Sequence, residues 1–274
     1  LDPAALDRVL GARFANFALP GATAWEQVRI VDYFRRTIAA PKAMLVGIDH
    51  EWCYRDINAG VTKIATAKER DFPDWAYDEN RWNDLLYLLN IPAVEAAGRT
   101  FAHLVARVPG RVRDGGFEIF TPPEPAYDLG RAREKIYGRV GSDLIASYAP
   151  APESRAAMNF PALPWLDDSL ASLPRQTRKF LVFPPVHAHV LPRTGSPRAA
   201  QEAECKRRVA AIAQRRGAIL VDWRIASALS VEDSNFWDPL HYRLAVGDRL
   251  IDDLGRIVHE GTGSPDGNYR ILVR

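Results

Sequence analysis

Three short runs of mostly apolar residues restrict the fold more than any other feature of the chain. They are 42–49 (Lys-Ala-Met-Leu-Val-Gly-Ile-Asp), 179–183 (Lys-Phe-Leu-Val-Phe) and 218–223 (Ala-Ile-Leu-Val-Asp-Trp). A run without alternation between apolar and polar residues is typical of a strand buried on both faces of a parallel sheet. Parallel strands need long crossover connections, usually helices that cover the sheet, so the runs favour an α/β protein.

Segments with helical patterning accompany these runs. Thr23 is a suitable N-cap for a helix over 24–36, and Gly217 follows an amphipathic stretch over 201–216. A further helical pattern covers 244–254, close to the end of the chain. Together with the strands, these helices predict a three-layer α/β/α sandwich around a mainly parallel sheet.

The chain has one further predicted strand near its start, before Thr23. Its least regular part lies in the middle. Residues 14–19 alternate in the manner of a short strand, whereas Gly and Pro clusters and isolated aromatic residues interrupt the pattern over roughly 54–130. We therefore expect a single domain over 1–274 with a long insertion at about 54–130.

Composition excludes several classes of partner. The 274 residues are 47% apolar and 26% charged, with a net charge of +2, so nothing favours nucleic-acid binding. No run approaches the ~18 apolar residues of a membrane span. The two cysteines, Cys53 and Cys205, have no zinc-site spacing and are expected to be free thiols.

Asp238 and His241 stand three residues apart in Asp-Pro-Leu-His, just before the last helical pattern. Across a tight turn, this spacing can place a carboxylate beside an imidazole. The carboxylate then fixes the tautomer of the imidazole, which takes a proton from a nucleophile. The alternative is a turn-forming Asp beside a surface His, because Asp before Pro commonly begins a turn.

Three other segments are expected to meet this pair, because parallel sheets place their sites at the carboxyl ends of the strands. Gly21 lies between a predicted strand and a helix, where its N–H can face a developing oxyanion. Asp49 ends the first apolar run, and His187 follows the second. Asp49 can donate to an oxyanion only when protonated, and otherwise it orients another group. His187 is expected at the rim of the cleft, in contact with substrate.

Taken in order, three segments resemble sequence blocks of the SGNH/GDSL hydrolase superfamily. They are 17–23 (Phe-Ala-Leu-Pro-Gly-Ala-Thr), 45–49 (Leu-Val-Gly-Ile-Asp) and 237–242 (Trp-Asp-Pro-Leu-His-Tyr). The resemblance implies a flavodoxin-like fold and hydrolysis or transfer of acyl esters without a cofactor. Gly21 matches the oxyanion glycine of the family, and Asp238 with His241 matches its Asp-x-x-His block.

The chain departs from this pattern at two points. Asp49 occupies the position where the family has Asn, which places the second oxyanion donor in doubt. The Gly-Asp-Ser block is absent, and Gly141-Ser142-Asp143 has the wrong order and a helical context. We therefore expect the nucleophilic serine to lie upstream of residue 1 in the parent protein, and this chain to be nearly inactive by itself.

The resemblance also bears on substrate and location. Some members of the family act on carbohydrate acetyl groups, so a carbohydrate or small-molecule ester is the expected substrate. Trp52, Trp75, Tyr77, Trp82 and Tyr87 would then form a stacking platform, unless they fill the core beneath the insertion. Such esterases are often exported, which favours a periplasmic or membrane-anchored location. A cytoplasmic location and the oligomeric state stay open.

Two alternatives belong to other functional classes. A catalytically inactive domain of the same fold would bind a carbohydrate or a protein partner. In the second alternative, His187 and His189, which point to the same side of an extended segment, would hold the metal of a metallohydrolase. No third ligand stands at a suitable spacing, so no metal site is assigned.

Overall fold

The computed structural model describes residues 1–38, 40–54, 80, 82, 85, 91–106, 112–119, 121–139, 141 and 154–274. Its strands are β1 (Ala43–Gly47), β2 (Val112–Arg113), β3 (Phe117–Glu118), β4 (Arg178–Phe183), β5 (Ala218–Asp222) and β6 (Arg270–Val273). Its helices are α1 (Pro3–Leu10), α2 (Ala24–Thr37), α3 (Ile91–Ala106), α4 (Leu129–Tyr137), α5 (Leu163–Ala171), α6 (Pro197–Arg216), α7 (Ala228–Val231) and α8 (Leu244–His259).

A mainly parallel sheet forms the middle layer, with strand order β1-β4-β5-β6 in the described part of the chain. β1 pairs with β4, and β4 pairs with β5, in parallel. β6 runs antiparallel to β5 at the other edge. Because β1, β4 and β5 run in the same direction, the loops that follow them emerge at one edge of the sheet.

Helices cover both faces of this sheet, and the side chains of β4 show why. Leu181 and Phe183 enter one apolar cluster, which includes residues of α5 and α6. Phe180 and Val182 enter a second cluster, which includes residues of α1 and α8. Since successive side chains of a strand point to opposite faces, both faces are buried, and the predicted three-layer α/β/α fold is confirmed.

The helix ends confirm the local predictions. Thr23 forms a capping box with Glu26, each side chain accepting from the backbone N–H of the other residue. Gly217 ends α6 in the left-handed conformation with φ of 61°, which glycine adopts without strain. These two caps fix where α2 begins and where the chain leaves α6 for β5.

Two strand predictions were wrong in detail. Residues 14–19 form no strand. In this segment, Asn16 contacts the turn that precedes β3, where its backbone N–H donates to Gly115 O at 2.6 Å. β1 is only half-buried and lies at the edge of the described sheet, so it is not covered on both faces as expected. The fourth strand of the sheet is instead β6, a short edge strand whose pattern gives little signal.

Much of the predicted insertion lies outside the described residues. Within 54–130, the structure describes α3, the small β2–β3 hairpin and the turn over 124–126. Residues 55–79 are not described, and the same is true of Ser142.

Cys53 and Cys205 form a disulfide, which corrects the expectation of two free thiols. Cys53 ends the short helical turn after β1, and Cys205 is fully buried on α6. Their Cα atoms lie 5.7 Å apart although 152 positions separate them in sequence. Spacing alone could not reveal the pairing, because the sheet brings the end of β1 and the middle of α6 together.

Removing this crosslink is expected to destabilise the protein. The Cys53→Ala/Cys205→Ala double variant should lose about 2–5 kcal/mol of unfolding free energy, because the disulfide closes a long loop in the unfolded chain. Chemical denaturation of the oxidised protein and the variant measures the difference. In parallel, the unreduced, unfolded protein should show no thiol in a colorimetric titration, and two titrating thiols would contradict the pairing.

Candidate active site

A short hairpin before α8 positions Asp238 and His241. Phe236 pairs with Tyr242, and the Trp237 amide donates to His241 O at 2.8 Å. Phe236 and Trp237 are buried, so the base of the hairpin is anchored in the protein interior. The tip, which carries Asp238 and His241, is thereby held at the protein surface.

The carboxylate of Asp238 has two roles. Its Oδ1 accepts from the backbone amides of Leu240 at 2.9 Å and His241 at 3.0 Å, which shapes the turn. Its Oδ2 lies 2.7 Å from His241 Nδ1. The turn-forming role and the pairing with the imidazole are therefore compatible, since each uses a different oxygen.

The environment favours the ionised form of this carboxylate. Burial alone would raise the pKa of Asp238, but the hydrogen bond and charge of His241 and the two amides hold the pKa below its usual range. An ionised Asp238 accepts the Nδ1–H of His241, which leaves the basic lone pair of the imidazole on Nε2. The His241 side chain is 46% exposed, so solvent or a substrate can reach it.

The structure places His187 in the interior and not at the rim of a cleft. The residue is 2% exposed. Its Nδ1 accepts from the His189 amide at 3.1 Å, and its Nε2 lies 3.1 Å from Asp233 Oδ1. Both ring nitrogens are therefore engaged, and the expected position of His187 at an exposed rim was wrong.

The same hydrogen bonds weigh against the metal alternative. A histidine ligand needs a nitrogen lone pair, and the His189 amide occupies the lone pair of His187. Among the described residues, no group of three or more His, Cys, Asp or Glu side chains is arranged to hold a metal ion. In this arrangement, His187 therefore has no lone pair left for a metal ion.

Gly21 and Asp49 are brought together through Gln27 of α2. Gly21 occupies a tight turn with φ of 68°, closed by the Ala22 amide donating to Leu19 O. The Gln27 amide group donates to Ala22 O at 3.4 Å and to Asp49 Oδ2 at 3.2 Å. One side chain thus joins the glycine turn to the end of β1.

Asp49 acts as an acceptor in this arrangement. In addition to the bond from Gln27, its Oδ1 accepts from the Glu51 amide at 3.1 Å. Burial raises the pKa of the Asp49 carboxyl to about 6, although Arg224 and these hydrogen bonds act in the opposite direction. Near pH 7 the carboxyl is mainly ionised, and in that state it cannot donate to an oxyanion.

Two groups of residues lie at the carboxyl edge of the sheet. They are the Asp238–His241 hairpin and the Gly21, Gln27 and Asp49 group, and each connects to the end of β4. The Ile48 amide, next to Asp49, donates to Val182 O at 2.7 Å. The His187 amide, in the loop that follows β4, donates to Pro239 O at 2.8 Å. Each of the two groups is thus tied to the end of β4 or the loop that follows it, and their convergence on one site stays a prediction.

Sequence reasoning missed Gln27, Arg224 and Asp233. Arg224 is buried, and its Nη2 donates to Ile48 O at 2.6 Å, which fixes the residue before Asp49. Gln27 lies on a predicted helix and Asp233 in a short turn, and neither belongs to a recognisable functional motif. The one available signal was for Arg224, which directly follows a buried strand at the edge where sites are expected.

The proposed aromatic platform is described only in part. Trp52 is buried, and its indole N–H donates to Gln27 Oε1 at 2.9 Å, so Trp52 belongs to the core. Trp82 is 81% exposed. Trp75, Tyr77 and Tyr87 lie outside the described residues.

Comparisons with known proteins found no matching family model, no matching curated protein and no matching solved structure. A search of the described helices for a membrane span found none of sufficient length and apolarity.

The raised pKa of Asp49 predicts a specific pH dependence of stability. Folding raises this pKa from 3.8, so the stabilisation from proton uptake is complete below pH 3.8 and is lost as the pH rises through about 6. Between about pH 7.5 and pH 5, the wild-type protein should gain about 1 kcal/mol of unfolding free energy relative to Asp49→Asn. Urea unfolding of both proteins over this range measures the difference, and parallel pH profiles would contradict it.

Proposed function

We propose that this chain carries the Asp-His part of the site of an SGNH-like ester hydrolase or acyl transferase. His241 is the general base, and Asp238 orients it. The observation that carries the proposal is the 2.7 Å contact between Asp238 Oδ2 and His241 Nδ1 on a hairpin at the carboxyl edge of the sheet. An exposed imidazole held by an ionised carboxylate is suited to accept a proton from a hydroxyl nucleophile.

In this proposal, the nucleophilic serine comes from a segment upstream of the described residues. Among the described strands, β1 pairs with β4 alone and is only half-buried, so its other edge offers a position for that segment. A further parallel strand beside β1 would end at the same edge of the sheet as Asp49. A serine after such a strand would therefore stand on the side where the Asp238–His241 hairpin lies.

The oxyanion would be stabilised mainly by backbone N–H groups near Gly21. Asp49 occupies the position of the second donor in the family pattern, but its hydrogen bonds are those of an acceptor. We therefore assign Asp49 to orienting Gln27 and the glycine turn. Removing one oxyanion donor typically lowers kcat by ~10²–10³-fold. Activity that relies on the backbone donors near Gly21, without a side-chain donor at Asp49, would therefore be modest.

The substrate class in this proposal is an acyl or acetyl ester of a carbohydrate or a small alcohol. The same residues serve hydrolysis and transfer, since the outcome depends on whether water or another hydroxyl reaches the acyl-enzyme. The disulfide between Cys53 and Cys205 supports a location outside the cytoplasm, because disulfides persist in oxidising compartments.

An esterase assay on the full-length protein tests the proposal. Hydrolysis of p-nitrophenyl acetate by the protein with its upstream segment should fall on the order of 10⁴–10⁶-fold in His241→Ala and by a smaller factor in Asp238→Asn. The chain that begins at residue 1 should show only the rate of the His241→Ala variant.

A matched control is His259→Ala, which changes an exposed histidine that contacts Val9 O on α1. This variant should retain the wild-type rate. Equal rates for wild type and His241→Ala would end the enzymatic proposal and favour an inactive domain that binds a carbohydrate or a protein.

A further inference from the structure

We propose that His187 is a positioning residue that clamps the Asp238–His241 hairpin to the end of β4. Its catalytic consequence rests on the proposed function, but the clamp itself is a structural property that can be measured separately. The geometry that points to it is a pair of attachments from His187, one to the tip of the hairpin and one to the turn that leads into it.

The first attachment is made by the backbone. The His187 amide donates to Pro239 O at 2.8 Å, and Pro239 lies between Asp238 and His241. This bond holds the tip of the hairpin against the loop that follows β4. Because Pro239 itself has no N–H, its carbonyl is the backbone group through which this residue can be held.

The second attachment is made by the imidazole. His187 Nε2 lies 3.1 Å from Asp233 Oδ1, and Asp233 lies in the turn over 233–235 that leads into the hairpin. The His187 ring also packs edge-on against Phe236, with 5.3 Å between the ring centroids. The ring thus holds the base of the hairpin while the amide holds its tip.

The hydrogen bonds also determine the state of the imidazole. Nδ1 accepts from the His189 amide, so the proton is on Nε2 and is donated to Asp233. Burial lowers the pKa of His187, which keeps the ring neutral, although the nearby Asp233 acts in the opposite direction. The clamp is therefore a buried neutral histidine that donates to a carboxylate.

Asp233 extends the clamp to α4. The Tyr137 hydroxyl donates to Asp233 Oδ1 at 2.6 Å, and Arg133 Nε donates to Asp233 Oδ2 at 2.6 Å. The Tyr127 hydroxyl donates to the backbone oxygen of Asp233 at 3.2 Å. When His187 is changed, the Asp233 carboxylate keeps Tyr137 and Arg133 as partners and is not left unpaired. The variant loses only the link from this turn to the loop after β4, and that loss should loosen the hairpin.

The test uses the Nδ1–H of His241 as a reporter, because this proton is shared with Asp238 over 2.7 Å. In proton NMR of this 274-residue chain, a strong hydrogen bond gives a shifted, slowly exchanging resonance. We expect His187→Ala to raise the exchange rate of this proton by at least ~10-fold. His187→Gln should retain slow exchange, because a glutamine amide can donate to Asp233 and accept from the His189 amide.

Two comparisons make the result specific. His259→Ala, which changes a histidine on α8, should leave the His241 resonance unchanged. If His187→Ala does not fold, His187→Phe takes its place, because it keeps an aromatic ring against Phe236 and removes the N–H that is donated to Asp233. It should speed exchange while the helical circular dichroism stays that of wild type. Slow exchange in every folded variant that lacks this N–H donor would overturn the clamp.

In an active full-length enzyme, the clamp should appear in kcat. A displaced general base lowers the rate of the chemical step by up to ~10²-fold and leaves substrate binding intact, so His187→Ala should lower kcat with little change in KM. His187→Gln should restore most of the rate. Absence of esterase activity in the wild-type protein would refute the proposed function but would leave the NMR result on the clamp unaffected.

Discussion

The pairing of β4 with β1 on one side and β5 on the other organises the candidate site. β4 is buried on both faces, and its carboxyl end leads to two of the groups in the candidate site. Val182 O accepts the amide of Ile48 beside Asp49, and the loop after β4 carries the His187 amide that holds Pro239. A shift of β4 would therefore displace both Asp49 and the Asp238–His241 hairpin.

Several side chains in the site act through other residues. Gln27 links the Gly21 turn to Asp49 and Trp52, and Arg224 fixes Ile48. His187 contacts Pro239 of the hairpin and Asp233 just before it by hydrogen bonds. Such hydrogen bonds restrict the orientation of the side chains that they join, and the proposed general base would need that restriction. The disulfide adds a covalent link from the loop after Asp49 to α6.

Asp49 shows how one substitution changes the chemistry expected from a resemblance. The family pattern has Asn at this position, which is both donor and acceptor, whereas Asp49 accepts two hydrogen bonds beside Arg224. The ionised carboxylate compensates the buried guanidinium and orients Gln27. Asp49 therefore offers hydrogen-bond acceptors, and in its ionised form no donor, at the position where the family pattern has a side-chain donor.

The sequence by itself determined the fold class, the β4 and β5 strands, the α2 and α6 caps and the pairing of Asp238 with His241, because each depends on local patterning or short spacing. It could not determine which strand lies at the edge, since β1 and β4 are equally apolar and differ only in their neighbours. Only the tertiary structure decided the Cys53–Cys205 bond and the buried role of His187. Both depend on contacts between residues far apart in the chain, which no local pattern records.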